Sequence, residues 1–159
     1  MTVETSDKPL PRRRPSTCTT WPGSRLSRVK WAALSYSILI VDDSTLVCHL
    51  IRSYIEPHAA WRVCGEAENG KAAIEKVKEL RPDIVILDFQ MPVMNGLEAA
   101  RQIAILAPNT AMLMLTMHNF EQLSEEAHAA GIKAVLSKSE GVADRLIAAL
   151  RNVVPKAGI

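Results

Sequence analysis

Cysteines are few in this sequence, and long apolar stretches are missing from it. The three cysteines among the 159 residues, Cys18, Cys48 and Cys64, are odd in number and show no CxxC spacing. That usage argues against a disulfide framework and a zinc site, and it favours a reducing compartment. No apolar run approaches the roughly 20 residues that span a bilayer. The arginines near the start are not followed by the apolar segment of a secretory signal, so we expect a cytoplasmic protein.

Charge is distributed unevenly along the chain. Residues 1–36 hold seven basic and two acidic residues, whereas residues 37–159 hold twelve basic and fifteen acidic ones. The first segment is rich in Pro, Ser and Thr, and it buries too little apolar surface to offset the entropy of ordering. We predict a disordered basic extension over 1–36, or a translation start assigned too far upstream. Nucleic-acid binding through Arg12–Arg14 is a weaker alternative, because there is little aromatic interleaving beyond Trp21 and Trp31.

From residue 37 onward, short apolar runs alternate with longer segments that repeat apolar residues every three or four positions. The runs predict five buried strands, of which the second is the weakest, and the longer segments predict five helices. The predicted strands are Ile38–Val41, Arg62–Ala67, Ile84–Leu87, Ala111–Leu115 and Ala134–Leu136. Helix stop signals, namely Pro57, Pro82, Pro108 and Gly131, follow the first four helices.

Five strands alternating with five helices predict an α/β fold. We expect a doubly wound, five-stranded parallel sheet with helices on both faces. This single domain spans 37–154, and 155–159 forms a short tail. In open sheets of this kind the functional site lies beyond the carboxyl ends of the strands, at a topological switch point.

Chemically useful residues stand at the ends of four predicted strands. The first strand runs into Asp42 and Asp43, the third into Asp88 and the fourth into Thr116. The fifth is followed by a serine and then by Lys138. Because the carboxyl ends of parallel strands lie along one edge of a sheet, the fold brings together three carboxylates, one hydroxyl and one ammonium.

This group of residues suits phosphoryl transfer assisted by a metal ion. Three neighbouring carboxylates repel one another, and a hard dication such as Mg²⁺, which takes oxygen ligands, relieves the repulsion. We expect Asp43 and Asp88 to bind Mg²⁺ directly and Asp42 to act through a water. Asp88 is also the best candidate for a nucleophile that forms an aspartyl phosphate. Lys138 and Thr116 are expected to contact phosphoryl oxygens.

Each of these residues has a simpler explanation when it is taken alone. An Asp pair after a strand can serve as a helix N-cap, a role that Ser44 or Asp43 can fill. Asp88 can be a turn residue, Thr116 can satisfy a local backbone group, and a single lysine is normally a solvated surface charge. Capping alone does not explain why such residues end so many separate βα units.

Four stretches resemble the response-regulator receiver domain of two-component signalling, and together they cover almost everything from Ser37 to about Val153. They are ILIVDDS (Ile38–Ser44), PDIVILDFQMPVMNG (Pro82–Gly96), LTMHN (Leu115–Asn119) and AGIKAVLSKSE (Ala130–Glu140).

The second stretch is the most specific. In receivers a Pro and a Gly follow the phosphorylated Asp by four and eight residues, as Pro92 and Gly96 follow Asp88 here. The residues directly after Thr116 and Lys138 resemble those of NarL/LuxR-type receivers.

The resemblance implies a flavodoxin-like (βα)5 fold and a phosphoacceptor, not a conventional enzyme. A sensor histidine kinase or a phosphotransfer protein would supply the phosphoryl group to Asp88, in a phosphorelay. Phosphorylation would draw Thr116 inward and reshape the face made by the fourth helix, fifth strand and fifth helix, where a homodimer is also expected. Positions that match the family's Mg²⁺ ligands are Asp43, Asp88, the backbone carbonyl of Gln90 and, through water, Asp42; those that contact the phosphoryl group are Thr116 and Lys138.

Four positions near the site bear on signalling. Val135 stands where receivers often carry Tyr or Phe, so the aromatic part of their usual switch is missing or is replaced. Ser139 follows Lys138 where many receivers have a proline. Neither change touches the phosphoacceptor chemistry. Gln90 and His118 flank the site, and we hypothesise that their side chains gate the attacking water and set the lifetime of the phosphorylated state.

Other classes of protein remain as alternatives. The sequence ends at Ile159, just beyond the fifth predicted helix, so we expect no helix-turn-helix output domain within it; a truncated relative of a DNA-binding regulator is one alternative. A phosphorylation-independent, receiver-like interaction module is another, and Val135 keeps it open. A phosphatase of the haloacid-dehalogenase type is disfavoured, because it would need an aspartate in place of Gln90.

Overall fold

The computed structural model describes residues 35–117 and 120–154. In these residues five strands and five helices alternate along the chain. The strands are β1 (Tyr36–Val41), β2 (Trp61–Ala67), β3 (Ile84–Asp88), β4 (Ala111–Thr116) and β5 (Ala134–Ser137). The helices are α1 (Thr45–Ile55), α2 (Gly70–Leu80), α3 (Gly96–Leu106), α4 (Phe120–Ala129) and α5 (Val142–Val153).

The predicted α/β architecture is confirmed, with every strand lying within two residues of its predicted bounds. β1 begins two residues earlier than predicted, at Tyr36, and Asp88 and Thr116 are the last residues of their own strands. Most of the predicted basic extension, the tail at 155–159 and His118 lie outside the described residues. In the described part of the chain, none of the helices has the length and apolar character of a membrane-spanning segment.

Short polar side chains begin three of the helices. The side chains of Ser44, Asn69 and Asn95 each accept a hydrogen bond from the backbone N–H three residues further on. Such caps satisfy N–H groups that have no partner inside the helix. At the other ends, Arg81 and Gly131 adopt positive φ angles of 48° and 98°, which turn the chain out of α2 and α4.

The strands form one parallel sheet in the order β2-β1-β3-β4-β5. Alternate side chains of each strand enter two separate cores. On β1, for example, Leu39 and Val41 pack with α2, α3 and α4, whereas Ile38 and Ile40 pack with α1 and α5. Because helices cover both faces, the central strands are apolar on both sides, and all five residues of β3 are buried.

Candidate functional site

The predicted site residues lie where the order of strand connections reverses. β1 pairs with β2 on one side and with β3 on the other, which opens a crevice beyond their carboxyl ends. Asp42 and Asp43 follow β1, and Asp88 ends β3. Thr116 ends β4, and Lys138 comes directly after β5. The sheet therefore brings all five predicted residues to one edge.

Three carboxylates form an acidic cluster in this crevice. One carboxylate oxygen from each of Asp42, Asp43 and Asp88 lies within 4.8 Å of the other two. Asp42 and Asp88 are buried, with 3% and 7% of their surface exposed, whereas Asp43 is exposed. Oxygen donors so close together, with one open to solvent, suit a hard dication that keeps part of its water shell.

Lys138 bridges the two buried carboxylates. Its Nζ lies 2.7 Å from Oδ2 of Asp42 and 2.9 Å from Oδ1 of Asp88. Burial alone lowers the pKa of Lys138, but the hydrogen bonds to Asp42 and Asp88 outweigh that effect, and the pKa is raised above its usual value. The side chain therefore stays charged at neutral pH, so it is not the solvated surface lysine of the simpler explanation.

The surroundings of Asp88, in contrast, disfavour its charged form. Burial raises the pKa of its carboxyl group, and the charges of Asp42 and Asp43 add to this. The hydrogen bond and positive charge of Lys138 pull the pKa down without cancelling the rise. A further cation beside Asp88 would favour the ionised, nucleophilic form.

Helix capping does not account for Asp42 and Asp43, the two acidic residues after β1. The N-cap of α1 is Ser44, whose Oγ accepts from the N–H of Val47 at 3.3 Å. Asp42 accepts from the N–H of Ser44 through Oδ1, at 2.9 Å, and turns its other oxygen to Lys138. Asp43 is not the cap residue, and it also lines an open cleft of about 500 Å³. The cleft is bordered by Asp43, Phe89, Gln90, Met91, Pro92 and Asn95.

Thr116 and Gln90 complete the predicted set. Thr116 is fully buried at the end of β4, in register with Ser137 of β5. The backbone N–H of Lys138 donates to the Thr116 carbonyl at 2.9 Å, which ties the two strand ends together. Gln90 is exposed in the loop after β3 and lies two residues from Asp88.

Comparison with known proteins identifies the family. The family model described as "Response regulator receiver domain" matches residues 38–151. The chain belongs to this family. The receiver is 39% identical over 101 residues to the chemotaxis protein CheY of Thermotoga maritima, a match that covers 64% of this chain and 83% of the relative.

Two further relatives agree with the resemblance to transcription-factor receivers. Over 120 residues the receiver is 39% identical to the transcriptional regulatory protein YdfI of Bacillus subtilis, covering 74% of this chain but only 56% of the relative. A solved LuxR-family two-component response regulator from Aurantimonas sp. SI85-9A1 superposes with a TM-score of 0.72 at 29% identity. That match covers 76% of this chain and 85% of the solved one.

The loop between β3 and α3 explains why the receiver needs glycine eight residues after Asp88. The N–H of Gly96 donates to the Phe89 carbonyl at 2.9 Å. A Cβ at position 96 would lie 2.3 Å from the carbonyl oxygen of Asp88, closer than atoms can approach. Glycine therefore lets α3 begin directly against the backbone of the proposed phosphoacceptor.

Val135 and Ser139, the two departures from the usual receiver pattern, lie in different surroundings. Val135 is 5% exposed and packs in the core shared with α2, α3 and α4. Valine carries no aromatic ring, so the aromatic part of the usual receiver switch is missing at this position. Ser139 lies in the loop after Lys138, and the described backbone has no cis peptide bond.

Two residues that the sequence patterns did not single out support the site's loops. The N–H of Gly70 donates to the Met94 carbonyl at 3.2 Å, and a Cβ at position 70 would lie 2.6 Å from that oxygen. Arg145 donates to the carbonyl oxygens of Ser137 and Glu140. Glycine is a poor helix former, and this is the one sequence signal that could have marked Gly70. An arginine on an amphipathic helix carries no such signal.

Cys48 lies close to the acidic cluster but should be chemically inert. It is 2% exposed, and its Sγ donates to the Asp42 carbonyl at 3.6 Å. Burial, helped by the charges of Glu66 and Asp42, raises the pKa of its thiol to about 11. Because the thiolate is the reactive form, we expect iodoacetamide at pH 8 to leave Cys48 unmodified in the folded protein.

Peptide mass spectrometry after alkylation measures this directly, and the urea-unfolded protein serves as the reference. If Cys48 were modified as fast in the folded as in the unfolded protein, the buried setting described for it would be wrong.

Proposed function

We propose that this receiver accepts a phosphoryl group on Asp88 from the phosphohistidine of a sensor kinase or phosphotransfer protein. The observation that carries the proposal is the position of Lys138, bridging Asp42 and Asp88 inside a cluster of three carboxylates. No simple capping or surface role accounts for a partly buried lysine shared between two buried acids. Membership of a family whose members exchange phosphoryl groups with such partners supports the same reading.

The donor set fits Mg²⁺, which receiver domains generally bind at an acidic site. We propose that Asp43, Asp88 and the backbone carbonyl of Gln90 hold the ion, with Asp42 acting through a water. The exposed carboxylate of Asp43 and the open cleft beside it leave room for the waters that Mg²⁺ retains. Bound there, the ion would offset the repulsion between the Asp88 carboxylate and the incoming phosphoryl group.

Asp88, Lys138 and Thr116 would each have a separate role in the transfer. An oxygen of Asp88 forms a bond to phosphorus while the phosphorus–nitrogen bond of the phosphohistidine breaks and its electron pair returns to the imidazole. No general base is needed, because the carboxylate is already deprotonated. Lys138 stabilises one phosphoryl oxygen by its charge, and the Thr116 hydroxyl donates to another. Hydrolysis of the aspartyl phosphate, gated by the side chain of Gln90, completes the cycle.

We propose that a homodimer forms through the face of α4, β5 and α5, since β5 is the edge strand on that side of the sheet. The chain spans about half the length of YdfI, which supports a relation to longer transcriptional regulatory proteins. The thiol of Cys48 is free, in keeping with a site of action in the cytoplasm.

Intact mass spectrometry after incubation with Mg²⁺ and acetyl phosphate tests the proposal. We expect the wild-type protein to gain one phosphoryl group and Asp88→Asn to gain none, because an amide is not a nucleophile at neutral pH. Asp144→Asn, an exposed aspartate on α5, is the matched control and should be labelled like the wild type.

Labelling should disappear when Mg²⁺ is removed with a chelator. A wild-type protein that gains nothing under conditions that label another receiver would contradict the proposal. The better interpretation would then be that the protein is a phosphorylation-independent interaction module.

A further inference from the structure

The loop between β5 and α5 carries Lys138, and one arginine holds this loop from its far side. Arg145, on the first turns of α5, donates from Nη2 to the carbonyl of Ser137 at 3.0 Å and to Oγ of Ser139 at 3.0 Å. Its Nη1 donates to the carbonyl of Glu140 at 2.9 Å. The guanidinium thus binds Ser137 and Ser139, which flank Lys138, and also Glu140.

Few other features fix this loop. Ser139 has no ring to restrict its φ angle as a proline would. Gly141, the N-cap of α5, has a φ of 79° and makes no side-chain capping bond. The backbone contributes three bonds: from the N–H of Lys138 to the Thr116 carbonyl, from the N–H of Val142 to the Ser139 carbonyl, and from the N–H of Arg145 to the Gly141 carbonyl. Arg145 supplies three more hydrogen bonds to the same short segment.

The position of this segment decides where the lysine side chain begins. The ammonium of Lys138 must reach Asp42 at 2.7 Å and Asp88 at 2.9 Å at once. We infer that Arg145 is a positioning residue: it fixes the backbone at Ser137 and Ser139 and thereby aims Lys138 at the phosphoacceptor. The inference rests on the proposed function of Asp88 and Lys138, and it adds a residue that touches neither carboxylate.

The chemistry of the guanidinium suits this task. Its planar fork presents several donors in fixed directions, so one side chain can bind three acceptors that point different ways. A lysine at position 145 has a single ammonium on a flexible stem and reaches fewer of them. The acceptors are neutral carbonyl and hydroxyl groups, so the contact is directional and does not alter the charge at Asp42 or Asp88.

A double-mutant cycle between Arg145 and Lys138 tests the inference, with the rate of phosphorylation by acetyl phosphate as the readout. If Arg145 acts through Lys138, Arg145→Ala should slow labelling by about tenfold, in line with the cost of displacing a catalytic group by a fraction of an ångström. In a Lys138→Ala background the same change should have an effect of no more than about twofold, because coupled residues are not additive. Arg151→Ala, six residues along α5, is the matched control and should retain the wild-type rate.

Chemical rescue separates positioning from a general loss of structure. Guanidinium ion at low millimolar concentration should restore part of the rate of Arg145→Ala and none of that of Lys138→Ala. Ser139→Ala, which removes a single acceptor, should cause a smaller loss than Arg145→Ala. Thermal unfolding of each variant shows whether the fold is intact.

Two outcomes would overturn the inference while leaving the proposed function in place. One is a wild-type rate in Arg145→Ala. The other is an equal fold-loss from Arg145→Ala in the presence and absence of Lys138, which would mean that the arginine supports the fold and not the lysine. By contrast, a wild-type protein that is never labelled would contradict the proposed function itself.

Discussion

Replacement of Gly96 by alanine should destabilise the receiver by about 3 kcal/mol, the upper part of the range for forcing extra atoms into a packed interior. The added Cβ would lie 2.3 Å from the carbonyl oxygen of Asp88 and 3.0 Å from Cε of Met114. The first contact is the more serious, because that oxygen belongs to the backbone of the buried strand β3 and cannot rotate away. The φ angle of Gly96 is not positive, so the effect is steric.

Relief of this contact requires α3 or the end of β3 to move. Movement of β3 displaces Asp88 directly, and movement of α3 pulls on the next residue through the bond from the Gly96 N–H to the Phe89 carbonyl. We therefore expect Gly96→Ala to lose most of its phosphorylation even at temperatures where it remains folded. Urea unfolding gives the stability, and labelling by acetyl phosphate gives the activity.

Gly65→Ala is the control for this prediction. A Cβ at position 65 would also be crowded, at 2.8 Å, but its neighbour is Cδ1 of Leu80, the far end of a flexible side chain. A rotation of Leu80 relieves the contact, so the loss of stability should stay below about 1 kcal/mol and labelling should be unchanged. Equal destabilisation by the two substitutions would show that the approach of Gly96 to the Asp88 backbone is not special.

Lys138→Ala should slow phosphorylation by about a hundredfold, the loss that follows removal of one preorganised group stabilising charge in a transition state. The Nζ of Lys138 lies 2.9 Å from Oδ1 of Asp88, close to where the phosphoryl oxygens must arrive. Lys133→Ala, an exposed lysine that precedes β5, is the matched control and should react at the wild-type rate.

The pH dependence of labelling should also shift in the Lys138→Ala variant. Burial already raises the pKa of Asp88, and the neighbouring Lys138 partly opposes that rise. Without the lysine the pKa rises further, so a larger fraction of Asp88 is protonated at any given pH. Because only the ionised carboxylate attacks phosphorus, the acid limb of the rate profile should shift to higher pH. A profile unchanged from the wild type would contradict the electrostatic role given to Lys138.

Much of the fold could be predicted from local patterns. The continuous apolar run Ile84–Leu87 indicated a strand covered on both faces, and both faces of β3 are buried. The polar residues of β2, such as Arg62 and Glu66, weakened the signal for that strand because it lies at an edge of the sheet. Proline and glycine marked the helix ends correctly, since proline clashes with a helical backbone before it and glycine adopts, without a steric penalty, the left-handed conformation that ends a helix.

The candidate site was partly predictable because parallel strands all run in the same direction, so their carboxyl ends lie at one edge of the sheet. That rule identified which residues meet, but not how they pair. The bond between Lys138 and Asp42 joins residues 96 positions apart, and no local pattern reveals that one ammonium bridges two acids. The contacts of Arg145 and the close approach of Gly70 to Met94 depend on the exact packing of loops. They became visible only in three dimensions.

The most direct test of the central claim is to locate the phosphoryl group on the protein. After labelling with acetyl phosphate and Mg²⁺, borohydride reduces an aspartyl phosphate to homoserine, which peptide mass spectrometry can assign to one position. We expect homoserine at position 88 and unmodified aspartate at 42 and 43. Homoserine at position 42 or 43, or a stable phosphate on a serine or histidine, would contradict it.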